Sequence, residues 1–163
     1  MLFGKHDLKI HRGVSFTGAR SRIKFENNIT IRSYCDISTW KLDNDFGTIR
    51  IGAHSNIGRF AHLSAAKSIV IGENVLIGER VTIVDNYHGC GLQELNIAPV
   101  KRRLYIKSDV VIGDNVLIGD GVFIGSGVKI GNNAVIGANS VVVRDLDANT
   151  VYVGAPARRL IQK

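Results

Sequence analysis

Residues 106–137 read IKSDVVIGDNVLIGDGVFIGSGVKIGNNAVIG. An isoleucine returns at every sixth position, at Ile106, Ile112, Ile118, Ile124, Ile130 and Ile136, and from Ile112 onward each is followed by glycine. Six is neither the helical period nor the strand period, so the stretch marks a repeat architecture. An aliphatic residue at this spacing suits a chain that turns a corner in each unit and points that side chain inward. The glycine behind it is expected to supply the corner's backbone freedom. A second small or aliphatic residue stands four positions after many of the isoleucines, as at Val110, Val116, Val122, Val128 and Ala134.

The same register runs upstream through Ile71-Gly72, Ile77-Gly78 and Ile83, through Ile51-Gly52, Ile57-Gly58 and Leu63, and more weakly through Phe25, Ile31 and Ile37. Short β-branched runs between polar corners read as short strands. No helix-period stripe competes with them. The expected fold is therefore all-β, a parallel β-helix solenoid with a short C-terminal tail. Residues 1–22 are expected to be an irregular N-terminal segment and residues 23–163 the solenoid domain. The register slips between Ile37 and Ile51, slips by two between Leu63 and Ile71, and is lost from about residue 88 to 104. That last break predicts an excursion loop, and loops on rigid scaffolds often carry function.

At 163 residues the chain suits one domain with a continuous core. It has no apolar run of transmembrane length and no secretory stretch at its start. Cys35 and Cys90 lie far apart without metal-ligand spacing. The expectation is a reducing, cytoplasmic setting. The net charge of +7 falls in clusters at Arg20/Arg22/Lys24, Lys101-Arg102-Arg103 and Arg158-Arg159. A nucleic-acid groove would want stacking aromatics beside such clusters, and these are sparse. Phosphate-bearing ligands are the favoured reading. Peripheral membrane association is second.

Four segments together resemble the hexapeptide-repeat acyltransferases. The first is the tandem Ile-Gly units. The second is Ile136-Gly137-Ala138-Asn139-Ser140-Val141-Val142-Val143-Arg144-Asp145, similar to the family's closing segment. The third is Val153-Gly154-Ala155-Pro156-Ala157-Arg158. The fourth, Asp85-Asn86-Tyr87-His88-Gly89 at the loop's root, resembles the segment carrying the catalytic histidine in saccharide O-acetyltransferases. The resemblance spans roughly residues 23–160. It implies a left-handed parallel β-helix, an exception to the usual right-handed crossover. It further implies a homotrimer with acetyl-CoA at the subunit interface, a saccharide acceptor, and a role in surface polysaccharide or glycan modification.

The resemblance makes His88 the general base, since a neutral hydroxyl attacks a thioester slowly and histidine titrates near neutral pH. Asp85, three residues earlier, is expected to orient that imidazole as a triad acid does. It also suits an ordinary corner role, bonding backbone. Asn86, Tyr87, His62 and Arg59 are candidates to border the acceptor. Asn86 stands where the family has its first histidine. For CoA the resemblance points to Gly119, Asp120, Gly137, Ala138, Val143 and Arg144. Small residues there admit the pantetheine arm, and backbone N–H groups are expected to hold the thioester oxygen. Arg144, Arg158 and Arg159 suit the CoA phosphates. Two departures stand out: Leu117 replaces the family's frequent tryptophan, and Asp145-Leu146-Asp147-Ala148 lacks its prolines.

No metal is expected. A zinc-dependent γ-type carbonic anhydrase needs three histidines, and between Ile69 and Lys163 only His88 occurs. A serine acetyltransferase normally carries a large helical N-terminal domain, for which residues 1–22 are too short. The alternatives kept open are N-acetylation of an amino- or nucleotide-sugar and a non-catalytic solenoid used for assembly.

Overall fold

A computed structural model of the chain describes residues 7–89 and 91–160. Among these residues no α-helix forms. The chain winds as a three-faced coil. The first face stacks Lys9–Ile10, Thr30–Ile31, Asn56–Ile57, Leu76–Ile77, Leu117–Ile118, Val135–Ile136 and Val151–Val153. The second stacks Ser15–Thr17, Asp36–Thr39, His62–Ala65, Thr82–Val84, Phe123–Ile124 and Val141–Val142. The third stacks Ile23–Phe25, Thr48–Ile51, Ser68–Ile71, Val110–Ile112 and Lys129–Ile130. All neighbouring strands within these stacks are parallel.

Register follows the isoleucines. Ile57 pairs with Ile77, Ile77 with Ile118 and Ile118 with Ile136. Each points into a core where Ile31, Ile37, Ile49, Ile51, Ile57, Leu63, Ile69, Ile83, Ile118 and Ile124 have no exposed surface. Burying such a side chain is worth about 1.5–3 kcal/mol, and the column repeats it at every rung. The coil begins earlier than residue 23. Lys9–Ile10 pairs with Thr30–Ile31, and Ser15–Thr17 pairs with Asp36–Ser38. Their apolar periodicity is too weak to read alone, but the rungs above supply backbone partners for them.

The glycines do a different job from the one expected of them. None of Gly52, Gly58, Gly72, Gly78, Gly113, Gly119 or Gly137 adopts a left-handed conformation. A Cβ on Gly58 would lie 2.2 Å from the carbonyl oxygen of Gly78, and one on Gly119 2.6 Å from the Ala138 nitrogen. They permit coils to stack closely. Six of the eleven described non-glycine residues in the left-handed region are asparagines, Asn74, Asn115, Asn133 and Asn149 among them. Asn tolerates that region better than most residues. Its side chains also form a ladder: Asn115 Nδ2 donates to Asn133 Oδ1 at 3.2 Å, and Asn133 Nδ2 to Asn149 Oδ1 at 2.8 Å.

Two hairpins leave the coil at the corner between the second and third faces. The first pairs Lys41–Leu42 with Asp45–Phe46 antiparallel. It accounts for the register slip after Ile37, and Arg22 ties it back through Asp45. The second pairs Tyr87–His88 with Leu104–Tyr105 antiparallel. Between its strands the chain makes 3-10 turns at Leu92–Glu94 and Pro99–Lys101. The Arg102 guanidinium donates to the carbonyls of Ile97 and Gly89 at 2.9 and 3.2 Å, so this cation shapes the loop instead of awaiting a ligand. Cys35 is a buried free thiol; Cys90 lies outside the described residues.

Candidate active site

His88 stands on the second hairpin, opposite Leu104, and is exposed. Gly89 N–H donates to the Arg103 carbonyl at 2.9 Å and closes the hairpin just beyond it. The imidazole is thus carried on a short two-stranded arm. Asp85 does not reach it. The Asp85 carboxylate is wholly buried and turned back into the coil below. Oδ1 accepts the Ala66 N–H at 2.8 Å, while Oδ2 accepts those of Lys67 and Ser68 at 2.8 and 2.7 Å. Asn86 Nδ2 adds a further donor at 2.9 Å. Four donors saturate the carboxylate, which corrects the expectation that Asp85 orients His88.

Asn86 and Tyr87, expected at the acceptor, are also built into the wall. Asn86 Nδ2 donates to the Ser64 carbonyl at 3.0 Å. The Tyr87 hydroxyl accepts the Ser126 N–H at 2.5 Å and occupies space that a Cβ on Gly125 would need. Ser126 in turn donates its hydroxyl to the Asp85 carbonyl at 2.5 Å. These residues anchor the arm that carries His88.

His62 and Arg59 have partners of their own. His62 lies on the second face, directly above Asp36. Its Nδ1 is 3.0 Å from Asp36 Oδ2, and the hydroxyls of Ser15 and Ser38 donate to the same carboxylate at 2.6 and 2.9 Å. Burial alone would push the Asp36 carboxyl up. The two hydroxyls and the nearby imidazole outweigh it and hold the group below the usual carboxylate range. So, among the described residues, the histidine–carboxylate pair is His62–Asp36. Asp36 escaped the sequence reading because the first hairpin separates it from its neighbour one coil on. Arg59 Nε pairs with Glu79 Oε1 at 2.8 Å. Both line an open groove of about 450 Å³ on the first face, with His11, Arg32, Asn56 and Leu76.

The residues expected to hold CoA fall on two edges of the second face. Gly119, Asp120, Gly137 and Ala138 stack at its leading corner, and Val143 and Arg144 follow its last strand at the trailing corner, on the side of His88. The N–H groups of Gly119 and Gly137 are not free for a thioester oxygen. They donate to the Ile136 and Tyr152 carbonyls, both at 2.8 Å. One neighbouring donor differs. Glu79 N–H is capped by Asp120 Oδ1 at 2.8 Å, and Asp114 N–H by Asn132 Oδ1 at 2.9 Å. At the matching position above Asp120 stands Ala138, which has no side-chain oxygen to give. The Asp120 N–H therefore lacks the side-chain cap that the Glu79 N–H has. Arg144, Arg158 and Arg159 are exposed, the last two on a strand folded antiparallel onto Val151–Val153. Among the described residues no group of His, Cys, Asp and Glu side chains is arranged to hold a metal ion.

Residues 109–144 match the family model for the bacterial transferase hexapeptide (six repeats). No curated protein sequence matches the chain. Similar solved structures include AntD, an N-acyltransferase from Bacillus cereus, in complex with dTDP and 3-hydroxybutyryl-CoA. It is 23% identical, with a TM-score of 0.81 over 94% of this chain and 79% of that one. The hexapeptide-repeat acetyltransferase VCA0836 from Vibrio cholerae is 28% identical, with a TM-score of 0.63 over 91% and 73% of the two chains. The polySia-specific acetyltransferase NeuO is 21% identical, with a TM-score of 0.64 over 94% and 65%. The likeness to AntD and NeuO is one of fold, and it agrees with the three-faced parallel coil described above. Residues 109–144 thus carry the repeat of the bacterial transferase hexapeptide model, and the chain folds as a left-handed parallel β-helix.

Proposed function

We propose that the chain transfers an acetyl group from acetyl-CoA to a hydroxyl of a saccharide, directly, with His88 as general base. The observation that carries this reading is the exposed imidazole of His88 on an arm that Asn86 and Tyr87 anchor to the coil. His88 takes the hydroxyl proton as the oxygen attacks the thioester carbonyl, then returns it to the departing thiolate. No acyl-enzyme forms. An imidazole performs both transfers near neutral pH. Asp120 N–H, with Gly137 and Ala138 admitting the pantetheine arm, supports CoA along the leading corner. Arg144, Arg158 and Arg159 meet its phosphates. These groups lie on both edges of the second face, so a site uniting them is completed between copies, which favours the symmetric homotrimer. A cytoplasmic setting, glycan biosynthesis and membrane proximity belong to the same reading.

A second reading is N-acylation of an amino sugar. It is favoured by AntD, crystallised with dTDP-4-amino-4,6-dideoxyglucose and CoA. The test is CoA release from acetyl-CoA across matched hydroxyl and amino saccharides, for wild type and His88→Ala. Under the proposal a hydroxyl acceptor is consumed and His88→Ala loses about 10²–10⁴-fold in kcat. Turnover of amino sugars alone selects the second reading. Undiminished activity in His88→Ala overturns the base.

A further inference from the structure

The two hairpins leave the same corner, two rungs apart, and the coil between them makes no excursion. It turns tightly through Ala65, Ala66 and Lys67. With rungs about 4.8 Å apart, the hairpins are separated by roughly 10 Å. The result is a notch with the Tyr87–His88 arm on one side and Trp40, at the root of the first hairpin, on the other. Trp40 is fixed at three points. Its N–H donates to the Ala65 carbonyl at 2.7 Å, its carbonyl accepts the Gly47 N–H at 3.0 Å, and its indole Nε1 donates to Ser64 Oγ at 2.9 Å. Ser64 is also bonded by Asn86, two residues before His88. The indole is therefore held to the same hydrogen-bonded floor as the arm.

Trp40 remains 44% exposed. Because its one polar donor is already used, the open part is apolar ring surface, held in a fixed orientation. A rigid aromatic beside polar groups, across the notch from a proposed base, suits the apolar face of a pyranose whose hydroxyls turn toward the floor and the imidazole. We propose that Trp40 is the stacking platform for the acceptor saccharide and presents its hydroxyl to His88. This rests on the acyl-transfer reading for its purpose, though not for its test.

Trp40 is the sole tryptophan in the chain, so its emission reports on this position directly. The full-length protein is titrated with methyl galactopyranoside, methyl glucopyranoside, N-acetylglucosamine, N-acetylneuraminic acid and UDP-N-acetylglucosamine, and separately with CoA. At least one saccharide is expected to shift or quench the emission saturably, and CoA is expected to do neither. For a saccharide that is turned over, Trp40→Ala should raise the acceptor KM on the order of tenfold, with a smaller change in kcat and none in the KM for acetyl-CoA. Trp40→Phe should recover most of that loss, and both variants are checked by circular dichroism and melting. A saturable emission change without acetyl transfer leaves the platform standing and removes the enzymatic reading. The platform is overturned if no saccharide moves the emission, if CoA alone moves it, or if it responds only to protein dilution. The last result would make the indole a contact between copies. An unaltered acceptor KM in Trp40→Ala also overturns it.

Discussion

Asp85 reaches back one coil to Lys67 and accepts its backbone N–H at 2.8 Å. The same carboxylate takes Ala66 and Ser68, so one acid holds three successive donors of the tight corner. That corner is the floor between the two hairpins. The sequence position of Asp85 invites comparison with a triad acid, but its bonds make it the foundation on which the His88 arm is set.

Asp85→Ala is accordingly expected to act on stability. It strands three backbone donors at a buried corner, and each unsatisfied buried group costs about 1–3 kcal/mol. The midpoint of urea unfolding should fall steeply, with an unchanged m-value. Asp85→Asn keeps one acceptor but introduces an amide facing N–H groups, so it should fall between. A triad role would instead lower kcat at unchanged stability, and that outcome would restore Asp85 to the chemistry.

The solenoid was legible because one side chain per six residues must point inward, and the isoleucines obey this at nearly every corner. What the period hides is which rungs are neighbours. Ile118 meets Ile136, but His62 meets Asp36 across a hairpin and Asp85 meets Lys67 across a tight corner; both pairings depend on the lengths of the interruptions. Trp40 lies within the register slip between Ile37 and Ile51, yet its fixed indole depends on Ser64 from the next coil. The glycines were read as corner residues. Their actual reason, the backbone of the coil above, is a contact that a single unit of the repeat does not contain.

That contact gives a second prediction. Gly58→Ala places a Cβ 2.2 Å from the Gly78 carbonyl oxygen, where backbone must move on both coils. A loss of about 1–3 kcal/mol is expected from such overpacking. Gly91→Ala meets nothing nearer than 3.9 Å, at a negative φ, and should change stability by less than about 0.5 kcal/mol. Equal melting temperatures for the two variants would show that the coil spacing is softer than close stacking implies.

Arg144 is exposed at the trailing corner and makes no ion pair with a described residue. If it meets a CoA phosphate, Arg144→Ala should raise the KM for acetyl-CoA about five- to tenfold at low salt, with a smaller effect on the acceptor KM. Added salt should narrow the gap between variant and wild type, because an exposed ion pair is screened. A larger change in acceptor KM would move the donor away from this corner.

The His62–Asp36 pair predicts a pH dependence of stability with a definite sign. The folded Asp36 carboxyl lies below its ordinary value of 3.8, through hydrogen bonds that more than offset burial. A depressed acid contributes stability that is present above its unfolded pKa and disappears as pH falls through the folded one. Wild type and Asp36→Asn should therefore differ most in melting temperature above the ordinary aspartate pKa of about 3.9, and the gap should shrink as pH falls below it. His62→Gln removes one of three partners and leaves Ser15 and Ser38 in place, so it should retain part of the difference. A gap between wild type and Asp36→Asn that stays constant from pH 7 to pH 3 would mean that the ionised carboxylate adds nothing to the fold. The three groups around it would then be neighbours on a polar face and not a stabilising cluster.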